Sequence, residues 1–154
     1  AKKNGATTIL NPTPYNDSVK KILPFVDIIT PNEIEASDLS GIVINDHESA
    51  RLAAERIYKL GVKHVIITLG DKGCHYFNGN RHFHLVGHKA AVIDSSGAGD
   101  SFNGSLAASI ANGKSIEDSL IFANAFASLK VERRGASNMP DTSLVEARLS
   151  TNNL

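Results

Sequence analysis

The residues with the clearest chemical potential lie in "VIDSSGAGDSFNGSLAAS", residues 92–109, where two glycines and a carboxylate open a predicted helix. Gly97 and Gly99 allow a ligand to approach the main chain closely. The first turn of a helix presents unpaired N–H groups and the positive end of the helix dipole, which together favour a bound phosphate. The stretch therefore predicts an anion site where a helix begins near Ala98.

Asp100 lies in the same turn and admits two interpretations. It can be a stabilising cap, in which case the glycines only permit a tight strand-to-helix turn. Alternatively, it accepts a proton from a hydroxyl that attacks a phosphoryl group held by the amides, which explains why a carboxylate tolerates a phosphate nearby. Two familiar phosphate motifs are excluded, because Phe102 replaces the third glycine of G-x-G-x-x-G and Ala108 the first glycine of a P-loop.

Strands and helices that alternate along the chain must position this turn. Apolar runs predict strands at 7–10, 25–30, 63–73 (with the following turn) and 90–94, and "NGN" predicts a hairpin within 74–86. Helices are predicted near 16–23, 31–41, 45–62, from 98 onward, 115–135 and 142–150. In the third of these helices we expect one buried face and a glycine stop: Leu52, Ala53, Ile57, Leu60 and Gly61. The alternation predicts an α/β sheet covered by helices.

Composition excludes several classes of protein. The 154 residues are 42% hydrophobic, and 16 basic residues balance 16 acidic ones, so one folded domain or a piece of a larger one is feasible. The neutral balance gives no reason to expect nucleic acid or a membrane surface as a partner. The apolar runs are too short to span a bilayer, and we find no leader. A single cysteine, Cys74, fits a reducing compartment, so we expect a cytoplasmic location.

The stretch "DSSGAGDSFNG" resembles the C-terminal signature of the ribokinase-like (PfkB-type) carbohydrate kinases, D-[TS]-x-[GA]-A-G-D-x-F. Further matches fall in the family's order: "NPTP", "VDIITPNEIEASDLSG", "VIITLGDKG" and "FANAFASLKVERRGAS". The first two of these most resemble the members that phosphorylate ribose. The resemblance implies a three-layer αβα Rossmann-like sheet of the ribokinase-like fold. This sheet would be mostly parallel, with an antiparallel hairpin, and incomplete on its N-terminal side.

The resemblance also implies roles for the glycine turn and for an N-x-x-E motif. Asp100 matches the general base that takes the proton from the sugar hydroxyl, and the amides of Gly97, Ala98 and Gly99 match the anion hole. Asn32 and Glu35 match the N-x-x-E motif, whose Glu helps to organise Mg²⁺ and its water shell near the phosphates. From the residues alone, Asn32 instead caps a helix and Glu35 completes a capping box.

Nucleotide-binding residues follow from the same resemblance. "TLGDKG" matches the turn that lines ATP, at the carboxyl end of a strand, where α/β sheets bind ligands. Its positions are Thr68, Gly70, Asp71, Lys72 and Gly73. The Gly99 amide would contact the phosphates, and Asn124 matches a side chain beside the adenine.

A monovalent cation is implied next to the anion hole, with K⁺ as the expected ion. The aligned positions are Asp94, Ser96, Lys130, Arg133 and Gly135. The ligands in this loop are largely backbone carbonyls, and Lys130 stands where a small residue is commoner. A second group, His75, His82, His84 and His88 around the hairpin, is expected to lie on a solvent face and not to bind metal. Cys74 is expected to fill a small space in the core.

The resemblance covers the C-terminal half of such a kinase. Residues 1–154 match its nucleotide-binding and catalytic-base part, and the sequence has no "GGKGAN" sugar-recognition stretch and no lid strands. The implied activity is ATP-dependent phosphorylation of the primary hydroxyl of D-ribose to D-ribose 5-phosphate, impaired in the isolated chain, with homodimeric full-length relatives. Alternatives are a kinase of a nucleoside or of another sugar, such as fructose or 2-keto-3-deoxygluconate, and a non-catalytic nucleotide-binding remnant.

Overall fold

A computed structural model describes residues 4–151 and divides the chain into two compact units, one up to His84 and one from Leu85. Six α-helices and five strands lie within the described residues. None of these helices is long and apolar enough to cross a membrane. Each unit holds a separate part of the predicted site, so each is described by itself.

The first unit is built on a mixed sheet in the order β1-β2-β3-β4-β5. β1 (Ile9–Leu10), β2 (Ile28–Ile29) and β3 (His64–Thr68) are parallel, and β4 (Cys74–Phe77) is antiparallel to β3. β5 (His82–Leu85) follows β4 after only four residues, a connection that can join only antiparallel neighbours. The continuous apolar burial of β3 is typical of parallel strands. The α/β class and the hairpin are therefore confirmed.

Three helices pack with this sheet: α1 (Val19–Ile22, followed by a 3-10 turn at Leu23–Phe25), α2 (Glu33–Ser40) and α3 (His47–Tyr58). The buried face of α3 repeats every three or four positions, as an amphipathic helix requires. It consists of Ala50, Ala53, Ala54 and Ile57. The prediction was wrong for Leu52, which is 40% exposed because its position turns away from this face.

The second unit consists of α4 (Ala98–Ala111), α5 (Ile116–Lys130), α6 (Thr142–Thr151) and their connections. Ala125 and Leu129 of α5 form a small core with Val145 of α6. α5 begins with an ordinary cap, because the Ser115 hydroxyl oxygen accepts the Asp118 N–H at 3.1 Å.

The strand predicted at residues 90–94 is wrong, because this segment forms no ladder. The N–H groups of Ile93 and Asp94 both donate to the Val131 carbonyl, at 2.7 and 3.0 Å. Two donors that converge on one acceptor tie the segment to the end of α5, whereas a strand needs a row of acceptors on a neighbour. The end of α5 also differs from the prediction, since the helix stops at Lys130 and not at residue 135.

Candidate active site

The turn before α4 depends on the glycine at position 97. Gly97 is the N-cap residue and lies in the left-handed region with φ 76°, and no side chain caps the helix. A Cβ atom at Gly97 would lie 2.7 Å from the Ala136 carbonyl oxygen, closer than real Cβ contacts. The turn and the loop around residue 136 therefore pack so tightly that only glycine fits here.

Two amides of the predicted anion hole are open, and one is not. The Ala98 N–H donates to the Ser95 carbonyl at 3.1 Å and so holds the turn together. Neither the Gly97 nor the Gly99 N–H donates to another described residue. A Cβ at Gly99 would meet nothing within 4 Å, so the fold itself does not require glycine there. An open donor beside empty space is what an anion would need.

The Asp100 carboxylate is uncommitted. It is exposed, lies in the first turn of α4, and forms no hydrogen bond or ion pair with any residue from 4 to 151. In particular, it does not return to the Gly97 N–H as a capping-box side chain would. Asp100 also lines a cleft of about 750 Å³ between α4, α5 and α6. Its oxygens are therefore free to accept a proton.

The loop just before this turn contains Asp94 and Ser96, and Asp94 also contacts Gly135, in the segment that follows α5. The Asp94 carboxylate accepts the Ser96 N–H at 2.9 Å and the Gly135 N–H at 2.8 Å. These bonds, with a smaller contribution from the positive charge of Lys130, lower the pKa of Asp94 to about 2. Arg133 lies in the segment after α5, where its N–H donates to the Lys130 carbonyl at 3.0 Å.

Lys130 decides whether this loop suits a monovalent cation. Its side chain is fully buried, and its Nζ atom has no hydrogen-bond partner among the described residues. Because the Lys130 charge already acts on Asp94, a second cation at this carboxylate would be repelled by the ammonium. The residues present therefore do not fit K⁺, and no chemical step is derived through it.

In the first unit, Asn32 and Glu35 form the capping box at the start of α2. The Asn32 Oδ1 atom accepts the Glu35 N–H, and a Glu35 carboxylate oxygen accepts the Asn32 N–H, both at 2.9 Å. The Thr13 hydroxyl donates to the other Glu35 oxygen. Glu35 is buried. The capping box expected from the residues alone is thus present, and a role of Glu35 in Mg²⁺ binding would be additional to it.

The "TLGDKG" turn lies beside this helix start. Thr68 ends β3 and forms a parallel bridge with Asn32, and its N–H donates to the Pro31 carbonyl at 2.9 Å. Gly70–Lys72 form a 3-10 turn, which is closed by a bond of 2.8 Å from the Leu69 N–H to the Gly73 carbonyl. Asp71 and Lys72 are exposed. The structure therefore brings the two predicted nucleotide motifs of this unit together at the carboxyl end of the sheet.

The candidate metal ligands of the first unit fit Mg²⁺, but they do not fit a metal that takes all of its ligands from protein side chains. No group of three or more His, Cys, Asp or Glu residues that could hold a metal ion occurs among residues 4–151. Mg²⁺ commonly keeps several waters and takes one or two carboxylates together with substrate phosphates. Glu35, supported by Asn32, is a carboxylate of that kind.

Asn124 is buried and not solvated. Its Nδ2 atom donates to the Val86 carbonyl at 2.8 Å, so the side chain anchors the segment that follows β5. The expected contact with adenine stays a prediction, and the observed bond assigns Asn124 a positioning role within the second unit. Sequence reasoning assigned no role to Thr13, Ser95 or Val131, although all three lie within matched stretches, because their contacts are made by a supporting hydroxyl and by two backbone carbonyls.

The predicted exposure of the hairpin histidines is only partly correct. His75 is only 4% exposed, so the expected solvent face is wrong for this residue. Its Nε2 atom lies 3.2 Å from His82 Nδ1, and burial lowers the pKa of His75 to about 4. Cys74 is buried as expected, and burial raises the pKa of its thiol to about 12.

Comparisons with known proteins identify the family of this chain. The sequence profile of the pfkB family carbohydrate kinases matches residues 1–143. A ribokinase of Haemophilus influenzae is 37% identical over 138 residues, which are 90% of this chain and 45% of the relative. The chain thus spans about half the length of the curated relatives that it matches.

Solved structures give the same result. Arabidopsis thaliana ribokinase, complexed with ribose and ATP, is 39% identical with a TM-score of 0.86, over 96% of this chain and 49% of that one. A protein assigned as ribokinase II of E. coli, in complex with ATP and Mg²⁺, is 28% identical with a TM-score of 0.79, over 97% and 50%. The chain belongs to the pfkB family of carbohydrate kinases.

Proposed function

We propose that this chain supplies the nucleotide-binding and proton-accepting part of a kinase that transfers the γ-phosphoryl group of ATP to the primary hydroxyl of D-ribose, giving D-ribose 5-phosphate. The observation that carries the proposal is the first turn of α4. There, an exposed and uncommitted Asp100 carboxylate adjoins the open N–H groups of Gly97 and Gly99. Amides at a helix start that no side chain caps are available to a bound anion.

Asp100 acts as the general base in this proposal. Its carboxylate accepts the proton of the sugar hydroxyl while that oxygen forms a bond to the γ-phosphorus. The bond between the γ-phosphorus and the bridging oxygen breaks at the same centre, and ADP leaves with the electron pair. The Gly97 and Gly99 N–H groups donate to the phosphoryl oxygens, where negative charge must be stabilised. The protonated Asp100 then returns its proton to solvent.

The first unit supplies the nucleotide end of the reaction in this proposal. The turn from Gly70 to Gly73, which is exposed from Gly70 to Lys72, lines ATP, and Glu35 with Asn32 holds the water shell of Mg²⁺. When bound, Mg²⁺ neutralises part of the phosphate charge. Asn124 acts by fixing the segment at Val86. Support for ribose as the sugar comes from the names of the relatives, which include ribokinases of bacteria and of a plant.

A calorimetric titration with a non-hydrolysable MgATP analogue, followed by an assay of phosphoryl transfer to ribose with the N-terminal half of a ribokinase relative added in trans, tests the proposal. We expect saturable binding by the wild-type chain and by Asp100→Asn. Transfer should fall roughly 10²- to 10⁴-fold in Asp100→Asn, because the base is lost while the amides remain. Its melting temperature should fall only slightly, since Asp100 has no hydrogen-bond or ion-pair partner to lose among the described residues and only its interaction with the helix dipole is removed.

Glu48→Gln is the matched control, because Glu48 is also an acidic residue in the first turn of a helix, α3. This variant should bind and transfer like the wild type. Binding without transfer by the wild type would replace the kinase by a non-catalytic nucleotide-binding module. Absence of binding by a folded chain would contradict both. Faster transfer to fructose or 2-keto-3-deoxygluconate than to ribose would contradict the choice of sugar.

A further inference from the structure

Lys130 is an unusual residue for the place it occupies. It is the last residue of α5, its side chain has 0% exposure, and it is the largest fully buried side chain among the described residues. Its ammonium group has no hydrogen-bond partner there. Lysine heads almost always reach water, even where their carbon stems are buried. Something other than a hydrogen bond must therefore make this position favourable for a positive charge.

Two nearby sources of negative potential supply the reason. The last turn of α5 carries the partial negative charge of its helix dipole. Asp94 lies close enough for the Lys130 charge to act on it, although the two groups form no ion pair. The backbone fixes this proximity, since the Asp94 N–H donates to the carbonyl of Val131, the neighbour of Lys130. A carboxylate and helix-end dipoles together make a place where a cation is stabilised.

We infer that the Lys130 ammonium is a tethered cation that does for the Asp94 loop what a bound monovalent ion would otherwise do. It neutralises Asp94 from the inside and keeps the loop against α5. The residues 94–97 lead directly from this loop into the α4 turn. The stability of the loop should accordingly not depend on K⁺. This inference goes beyond the proposed function, because it can be tested without phosphoryl transfer.

Thermal unfolding at constant ionic strength, in K⁺, Na⁺ or choline salts, tests the inference. The wild-type chain should melt at the same temperature in all three. Lys130→Ala removes the ammonium and leaves the charge of Asp94 without its compensating cation, so its melting temperature should rise with K⁺ concentration and not with choline. Lys130→Met fills the space of the lysine side chain without a charge and should be less stable than the wild type in every salt. Lys114→Ala, which removes an exposed lysine, is the matched control and should respond like the wild type.

A second variant keeps the test decisive if Lys130→Ala is poorly folded. In the double variant Lys130→Ala/Asp94→Asn, the negative charge is also absent, so the response to K⁺ should disappear. Folding of Lys130→Ala in K⁺ but not in choline would support the inference. A wild-type chain that is stabilised by K⁺ over choline would overturn it, as would a Lys130→Ala chain with no response to K⁺. Failure of the kinase proposal would leave all of these results unaffected.

Discussion

The first turns of α2 and α4 place a carboxylate at the same helical position and use it in opposite ways. At α2, Glu35 is buried and both of its oxygens accept hydrogen bonds from the protein. At α4, Asp100 stands three residues after the N-cap Gly97, as Glu35 stands after Asn32, but it is exposed and has no partner among the described residues. The closed start of α2 contributes to stability through its internal hydrogen bonds, whereas the open start of α4 leaves its donors and its carboxylate without protein partners among the described residues.

The glycines extend the comparison within the α4 turn itself. Gly97 has a backbone angle and a neighbour that exclude any side chain, so the fold requires it. Gly99 has neither constraint, and its removal would therefore disturb only what binds beside it. Gly97 therefore has a structural role, whereas Gly99 is free for a role in ligand binding. Substitutions can separate the two roles, because their expected effects on the free energy of unfolding differ in size and in sign.

The largest effect on stability is expected for Gly97→Ala. The new Cβ would clash with the Ala136 carbonyl and would also hold alanine at a positive φ, which together cost about 1 to 3 kcal/mol. Gly113→Ala is the control, because Gly113 has φ +80° but nothing within 4 Å of its Cβ position. Urea unfolding should show a smaller loss for the control. Equal losses would show that the contact with Ala136 adds nothing.

A smaller loss is expected when the closed helix start is opened. Asn32→Ala removes the acceptor for the Glu35 N–H, and the loss of an N-cap side chain costs about 1 kcal/mol. Ser115→Ala removes the ordinary cap of α5 and should cost a similar amount in chemical denaturation. Only Asn32→Ala should also weaken binding of the MgATP analogue. Unchanged binding would mean that the α2 start serves stability alone.

The smallest effect has the opposite sign. Gly99→Ala should stabilise the unliganded chain by about 0.5 to 1 kcal/mol, because glycine inside a helix is unfavourable and no atom obstructs the new methyl group. The same methyl group should weaken binding of the MgATP analogue in calorimetry. Gly104→Ala, one turn further along α4, should stabilise the chain without weakening binding. Equal binding by Gly99→Ala and the wild type would remove Gly99 from the anion hole.

The sequence predicted the elements that depend on residues close to one another along the chain. The Asn32–Glu35 box follows from N-x-x-E before an apolar run, and the α4 turn follows from two glycines and an acid after an apolar segment. The buried face of α3 was predicted only in part, since Leu52 is apolar but lies outside the buried face of the helix. Residues 90–94 have the composition of a strand, but a strand also requires partners that the segment itself cannot specify.

The rest of the candidate site depends on distant neighbours. "SLKVERRG" reads as an exposed, charged helix end, and nothing in those letters indicates that Lys130 is fully buried. His75 likewise alternates as a surface residue of a hairpin would, yet it is buried. Backbone acceptors such as Ser95 and Val131 act through carbonyls that every residue possesses. Such groups become visible only when the chain is folded.

Cys74 lies opposite Thr68 in the pairing of β4 with β3, at the base of the "TLGDKG" turn. Because the thiolate is the reactive species, a buried thiol with a pKa of about 12 is protected from alkylating reagents while the turn is closed. Chemical labelling of this sulfur would then proceed only as fast as the pairing of β3 with β4 opens. Because the sequence has no second cysteine, the labelling rate would report only on the local opening of the "TLGDKG" turn.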